Sequence, residues 1–141
     1  MATFNKVDSF VEALAEKVHN LGADVLKVAL TNTAPTAAST AWSTGTFPAP
    51  AAANGYTAGG NAPSITSSGQ SGGIYKLVLA DTVFTATAGG IGPFRYAILY
   101  NSTSAGKEII GWYDYGSSIT LNDTETLTVD FDATNGVLTI Q

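Results

Sequence analysis

Phe94-Arg95-Tyr96-Ala97-Ile98-Leu99-Tyr100, then Asn101-Ser102-Thr103-Ser104-Ala105-Gly106, then Ile109-Ile110-Gly111-Trp112-Tyr113-Asp114-Tyr115 is the stretch whose reading decides the fold. Phe94, Tyr96, Ile98 and Tyr100 alternate with Arg95, Ala97 and Leu99, which is the period of a strand. The polar segment 101–106 between the two apolar runs reads as a hairpin connection. Downstream and upstream of this pair, short runs bounded by turn residues predict further strands at 74–79, 82–87, 125–131 and 137–140. Within 125–131, Leu127, Val129 and Phe131 face one way and Thr126, Thr128 and Asp130 the other. Asp132-Ala133-Thr134-Asn135-Gly136 reads as a second hairpin connection, with Asn-Gly supplying the positive φ values of a tight turn. This spacing, with no further helical pattern, predicts a mainly β domain, an antiparallel β-sandwich or jelly roll.

The N-terminal side differs. Phe10, Leu14 and Val18 recur at i, i+4 and i+8, with Val11, Ala15 and Leu21 beside them, so one amphipathic α-helix is predicted over about 9–21. Ser9 and Glu12 have capping-box spacing, Asp8 is a rival N-cap, and Gly22 is placed to terminate the helix. Lys17 and His19 would then lie in the last turn, where the dipole favours positive charge. From Val25 the period becomes two, predicting a strand at 25–31 with one buried face. A long excursion over about 32–73 follows, rich in Ala, Thr, Ser, Gly and Pro. Trp42, Phe47 and Tyr56 give it anchors that a flexible linker lacks, so it belongs within a single domain spanning 1–141.

Charge is scarce and unevenly placed. Only 12% of the 141 residues are charged, against about 25% in typical soluble domains, while 45% are hydrophobic, so a folded core is expected rather than disorder. No charged residue lies between Lys27 and Lys76, and after Lys107 come Glu108, Asp114, Asp123, Glu125, Asp130 and Asp132 with no base. With a net charge of −5 and a single arginine, Arg95, the chain has no basic stripe for a nucleic acid. No apolar run approaches a membrane span, and Asp8, Glu12 and Glu16 stand where a signal peptide would be apolar. Cysteine is absent, which excludes disulfides, thiolate catalysis and cysteine-based zinc sites.

The residues capable of chemistry are few. His19 is the only imidazole, and its helical neighbours supply no nucleophile, so a structural role is preferred to a Ser-His-Asp triad. Asp130 and Asp132, with Asn135 in the following turn, offer oxygen ligands at a spacing that suits calcium. The alternating acidic loop with its terminal glutamate is missing, and Asn122, Asp123 and Glu125 fare no better, so no metal is expected. Asp114 is flanked by Trp112, Tyr113 and Tyr115, an arrangement that suits a sugar platform but is more often core or cross-strand packing. Gly89-Gly90-Ile91-Gly92 lacks the helix and the Lys-Ser/Thr ending of a phosphate loop and reads as a turn. The expectation is a non-enzymatic chain without cofactor that buries weakly solvated surface against a partner. Phe10, Leu14, Trp42, Phe47, Tyr56, Trp112, Tyr113 and Tyr115 are the interface candidates.

Asn54-Gly55-Tyr56-Thr57-Ala58-Gly59-Gly60, Gly92-Pro93-Phe94-Arg95-Tyr96-Ala97-Ile98-Leu99-Tyr100-Asn101 and Gly111-Trp112-Tyr113-Asp114-Tyr115-Gly116-Ser117-Ser118-Ile119-Thr120-Leu121 form a set. With Phe4-Asn5-Lys6 and Phe10-Val11-Glu12-Ala13-Leu14-Ala15, this set resembles small virion structural proteins of tailed bacteriophages over nearly the whole chain. The resemblance implies a capsid decoration, or cement, protein on the outer capsid surface. Its partner would be the major capsid protein, with homo-oligomerisation and no nucleic-acid or membrane partner. The N-terminal helix or the charge-free excursion would grip the neighbour. A tail or neck component is the alternative, and a carbohydrate-binding appendage using Trp112, Tyr113, Tyr115 and Asp114 is the second.

Overall fold

The computed structural model describes residues 2–141. The predicted hairpin forms the spine: strand β6 (Ile91–Asn101) pairs antiparallel with β7 (Ile109–Leu121), joined by the expected polar connection. Strand β2 (Leu26–Thr31) adds to the far side of β6, and β1 (Phe4–Lys6), too short for its pattern to stand out in the sequence, adds to β7. The four-stranded sheet therefore runs β1-β7-β6-β2. Strands β3 (Ile65–Ser71), β4 (Ile74–Leu79) and β9 (Leu138–Ile140) make a second sheet in that order, while β5 (Thr82–Thr85) pairs with β8 (Thr126–Val129). Every pairing is antiparallel, so the protein is a mainly β sandwich with one helix, α1 (Ser9–Ala15). One hydrophobic cluster joins the sheets through residues such as Leu99, Leu77 and Val129. Tyr113 meets Phe131 edge-on at 5.9 Å across the layers.

Four expectations are corrected. The helix ends six residues earlier than predicted. Lys17, not Gly22, takes the left-handed position (φ 66°), with the Lys17 amide donating to Leu14 O and the Val18 amide to Ala13 O, the paired bonds of a Schellman closure. The chain must turn inward there because His19 and Leu21 are buried, and so Lys17 and His19 lie beyond the last turn. Within α1 only Phe10 is buried, while Val11 is 58% exposed, and Asp8 occupies the N-cap without a side-chain bond. Second, β2 is buried on both faces rather than one.

Third, the excursion is shorter than expected, because residues 65–71 form β3 and turn into β4 through Gly72 and Gly73, both at positive φ. Fourth, segment 132–136 joins strands of different sheets instead of closing a hairpin. Only Gly136 of its Asn-Gly pair has positive φ. Asp132 Oδ1 accepts the Thr134 and Asn135 amides, and that Asx turn redirects the chain.

The remaining charge-free excursion, 32–64, has almost no regular structure yet is stitched to the sandwich along its length. Ile109 N donates to Thr40 O and Trp42 N to Lys107 O, fixing its start on β7. Thr31 Oγ1 donates to Pro48 O, Thr87 N to Asn54 O, and Leu30 N to the Tyr56 hydroxyl. At its end, Val28 and Asn61 exchange both backbone bonds (2.8 and 3.1 Å), so the outer edge of β2 is paired and not open. Register places Ala29, Ile98 and Tyr100 on one face of the sheet, and the excursion roofs it: the Trp42 ring stacks on Tyr100 at 4.6 Å and 13°. The opposite face, with Leu26, Val28, Leu30, Ala97 and Leu99, is buried in the sandwich core.

Close approach explains Gly60. It has φ +81°, and a Cβ there would collide with Val28 O at the β2 edge. Gly72 has φ +60° but open space around it. In urea unfolding, Gly60→Ala is expected to lose roughly 2 kcal/mol or more, against about 1 kcal/mol for Gly72→Ala, where only backbone strain applies. Equal losses would mean that the Val28–Asn61 contact is not a structural closure.

Candidate functional site

The eight interface candidates do not share a surface. Phe10, Trp42, Phe47, Tyr56 and Tyr113 are buried in the chain's own core; Leu14, Trp112 and Tyr115 are half-buried. Three of the buried ones, Trp42, Phe47 and Tyr56, are what hold the excursion down, Tyr56 stacking on Phe84 at 5.8 Å as well as bonding Leu30. The excursion is therefore roofed onto its own sheet and not laid out as an arm, and α1 is a short helix seated through Phe10.

Asp114 is not poised for acid–base work. Arg95 grips it through both oxygens, Nε to Oδ1 at 2.7 Å and Nη2 to Oδ2 at 2.9 Å, across the register slip between Phe94 and Tyr96. The guanidinium, with the Gly116 amide also donating to Oδ1, holds the carboxyl below its usual range and keeps it ionised. The aromatics around it part company by strand alternation. Trp112 pairs opposite Ile98, whereas Tyr113 and Tyr115 turn to the other face and line a cleft with Asp130. Burial pushes the Tyr115 hydroxyl up to about 12, with the nearby Asp130 adding to it. Trp112 and the two tyrosines consequently form no common platform.

The acidic turns spend their oxygens on the backbone. Asp132 holds the Thr134 and Asn135 amides and the Asn135 side chain, and these bonds lower its pKa. Glu125 Oε2 likewise accepts from Asn122 N and Nδ2. Among the described residues no group of three metal-ligating side chains converges.

One polar network is buried. Asn101 Oδ1 accepts the Thr103 and Ser104 amides, which fixes the amide orientation. Its Nδ2 therefore donates to Asp24 Oδ2 (2.6 Å) and to His19 Nδ1 (3.1 Å). His19 must accept at Nδ1, so the neutral ring carries its proton on Nε2, which is buried without a partner, and the imidazole stacks on the Phe10 ring at 5.5 Å.

What remains free is an edge. Strand β3 is the outer strand of its sheet, seven residues long, and all but Ile65 are exposed. It carries no charge and no proline, and its one irregularity falls between Ile65 and Ser67. Ser71 and Ile74 close the two-residue turn, so the ladder alternation points the amides and carbonyls of Ser68 and Gln70 away from β4. This strand leaves little trace in the sequence, since Ser, Gly and Gln have weak strand propensity; the Gly72-Gly73 pair is the available signal.

No family model, no curated protein and no solved structure matches the chain.

The buried network sets a pH dependence. Burial lowers the His19 pKa from its usual value, and Glu108 and Asp24 oppose this more weakly. In the window below about 6.5 the unfolded chain binds the proton that the folded chain refuses, so stability falls as pH drops. Urea unfolding at pH 7.5 and 5 should show wild type losing more stability than His19→Gln, each pH unit between folded and unfolded pKa being worth about 1.4 kcal/mol. Identical losses in the two proteins would show that His19 does not carry this dependence.

Proposed function

We propose that the chain is a non-enzymatic structural component of a tailed-bacteriophage virion, a capsid decoration protein that binds the major capsid protein lattice from outside and stabilises it. The observation that carries the reading is the open β3 edge. Soluble proteins ordinarily blunt a strand edge with lysine, proline, a short length or a cover, because unpaired amides and carbonyls recruit another strand. The outer edge of β2 is treated in that way, by Asn61, whereas β3 is long and uncharged. Addition of a neighbour's strand to such an edge gives main-chain affinity without needing an apolar patch. The surface of the charge-free excursion supports the same reading, since charge is what assembly interfaces exclude from their centres. The resemblance of segments 54–60, 92–101 and 111–121 to phage virion proteins supplies the biological setting. A shell repeats one weak contact many times, so multivalency makes a single strand pairing sufficient.

Lysines placed on the edge should block it without disturbing the fold. Ser67→Lys/Ser71→Lys is expected to unfold within about 0.5 kcal/mol of wild type, since both positions are exposed. Added to heads lacking the protein, it should fail to bind where wild type binds in many copies. Undiminished binding of this variant would reject the edge as the contact. Recovery of the native protein solely in the tail fraction of purified virions would replace decoration by the tail or neck reading.

A further inference from the structure

A second surface carries charge opposite in sign to the net charge of the chain. The cleft of about 650 Å³ between the excursion and the β6–β7 connection is lined by Lys27 and Lys107, two of only six basic residues in a chain of net charge −5. Both side chains line the same cleft as the Trp42 indole. Lys107 Nζ lies 5.6 Å from its ring centroid, and Lys27 Nζ and Trp42 Cη2 lie 3.8 and 3.9 Å from the point that a Gly59 Cβ would occupy. Gly59 has φ +80°, and Tyr100 Oη stands only 3.1 Å from that same point, so the floor of the cleft is kept clear by the absence of a side chain.

The two lysines are unpaired. Among the described residues the single ion pair is Arg95–Asp114, and no carboxylate lies within 4.0 Å of either ammonium. Glu108, next to Lys107, packs against Gly106 with Oε2 buried, and Asp24, three residues before Lys27, accepts from Asn20 N and Asn101 Nδ2. The Tyr100 hydroxyl donates to Gly59 O, and burial pushes its pKa up to about 12, so it stays protonated beside Lys27 and adds no negative charge. Two ammonium groups without a carboxylate partner, beside an aromatic floor in a chain of net negative charge, make a locally positive basin. A lone inorganic anion would leave most of that volume as water. An extended acidic segment places carboxylates on both lysines and its backbone against the hydroxyls of Ser43, Thr44 and Ser102 on the rim.

We propose that the Lys27–Lys107 cleft is an anion-receiving site whose occupant is an acidic segment of a neighbouring protein chain. The site would fix orientation and steer approach, as complementary charge does, while the β3 edge supplies main-chain pairing. The proposal rests on the assembly reading only for the origin of the acidic segment.

The test uses the purified chain, so that its failure leaves the strand-edge reading standing. In a Trp112→Phe background Trp42 is the sole indole, and its fluorescence reports the cleft. Hexaglutamate should change that fluorescence saturably, more weakly as salt is raised. Lys27→Gln/Lys107→Asn should bind at least about tenfold more weakly, asparagine being chosen because position 107 has φ +51°. Lys27→Arg, which keeps the charge, should bind like the parent and guards against a folding artefact. Absence of saturable binding, or binding indifferent to the lysine substitutions, would overturn the site. Inorganic phosphate or glutarate binding as tightly as hexaglutamate would overturn the polypeptide occupant.

Discussion

The pair of backbone bonds between Val28 and Asn61 is the constraint on which the rest of the structure depends. It closes the outer edge of β2, and it does so with the end of a segment that must first cross the sheet. Because Asn61 is held at Val28, Tyr56 reaches Leu30 and Trp42 lies flat on Tyr100. Segment 32–64 thereby becomes the outer layer of the sandwich without forming a strand of its own. Its lack of charge follows from this position. A roof carrying lysine or aspartate over Ile98 and Tyr100 would have to desolvate those charges or lift away, whereas Ala, Thr, Ser, Gly and Pro pass over an apolar face at little cost.

Two consequences reach the surface. With β2 sealed and the aromatic anchors turned inward, the long exposed strand edge is that of β3, on the other sheet. The roof also creates the cleft beside it, since Trp42 and Gly59 from the excursion meet Lys27 from β2 and Lys107 from the β6–β7 connection. One uncharged backbone edge and one positively charged basin thus flank a domain whose remaining surface is mostly acidic or neutral.

Much of the sandwich was legible in the sequence. The alternation through 94–100 and 109–115 located the spine, and the period over 25–31 located β2, because a buried strand must place apolar groups at fixed spacing. The helix end was not legible. Its Schellman closure is made by backbone bonds, and Lys17 in the left-handed position leaves no glycine to read. Strand β3 escaped because both its faces are in water, which removes the hydrophobic period altogether. The aromatic interface candidates illustrate the opposite failure: Trp42, Phe47 and Tyr56 were correctly anchors, but sequence cannot distinguish anchoring to oneself from anchoring to a neighbour. Lys27 and Lys107 stand 80 positions apart and converge only through the β2–β6 pairing.

Residue-resolved amide hydrogen exchange, on the free chain and on assembled particles, tests the central claim most directly. In the free chain the Val28, Leu30 and Trp42 amides should be as protected as those of β6, while the outward amides of Ser68 and Gln70 exchange freely. On assembly those outward β3 amides should gain strong protection. Rapid exchange at Val28 and Trp42 would contradict the roofed sandwich, and β3 amides unchanged on assembly would contradict the edge as the place where the partner strand adds.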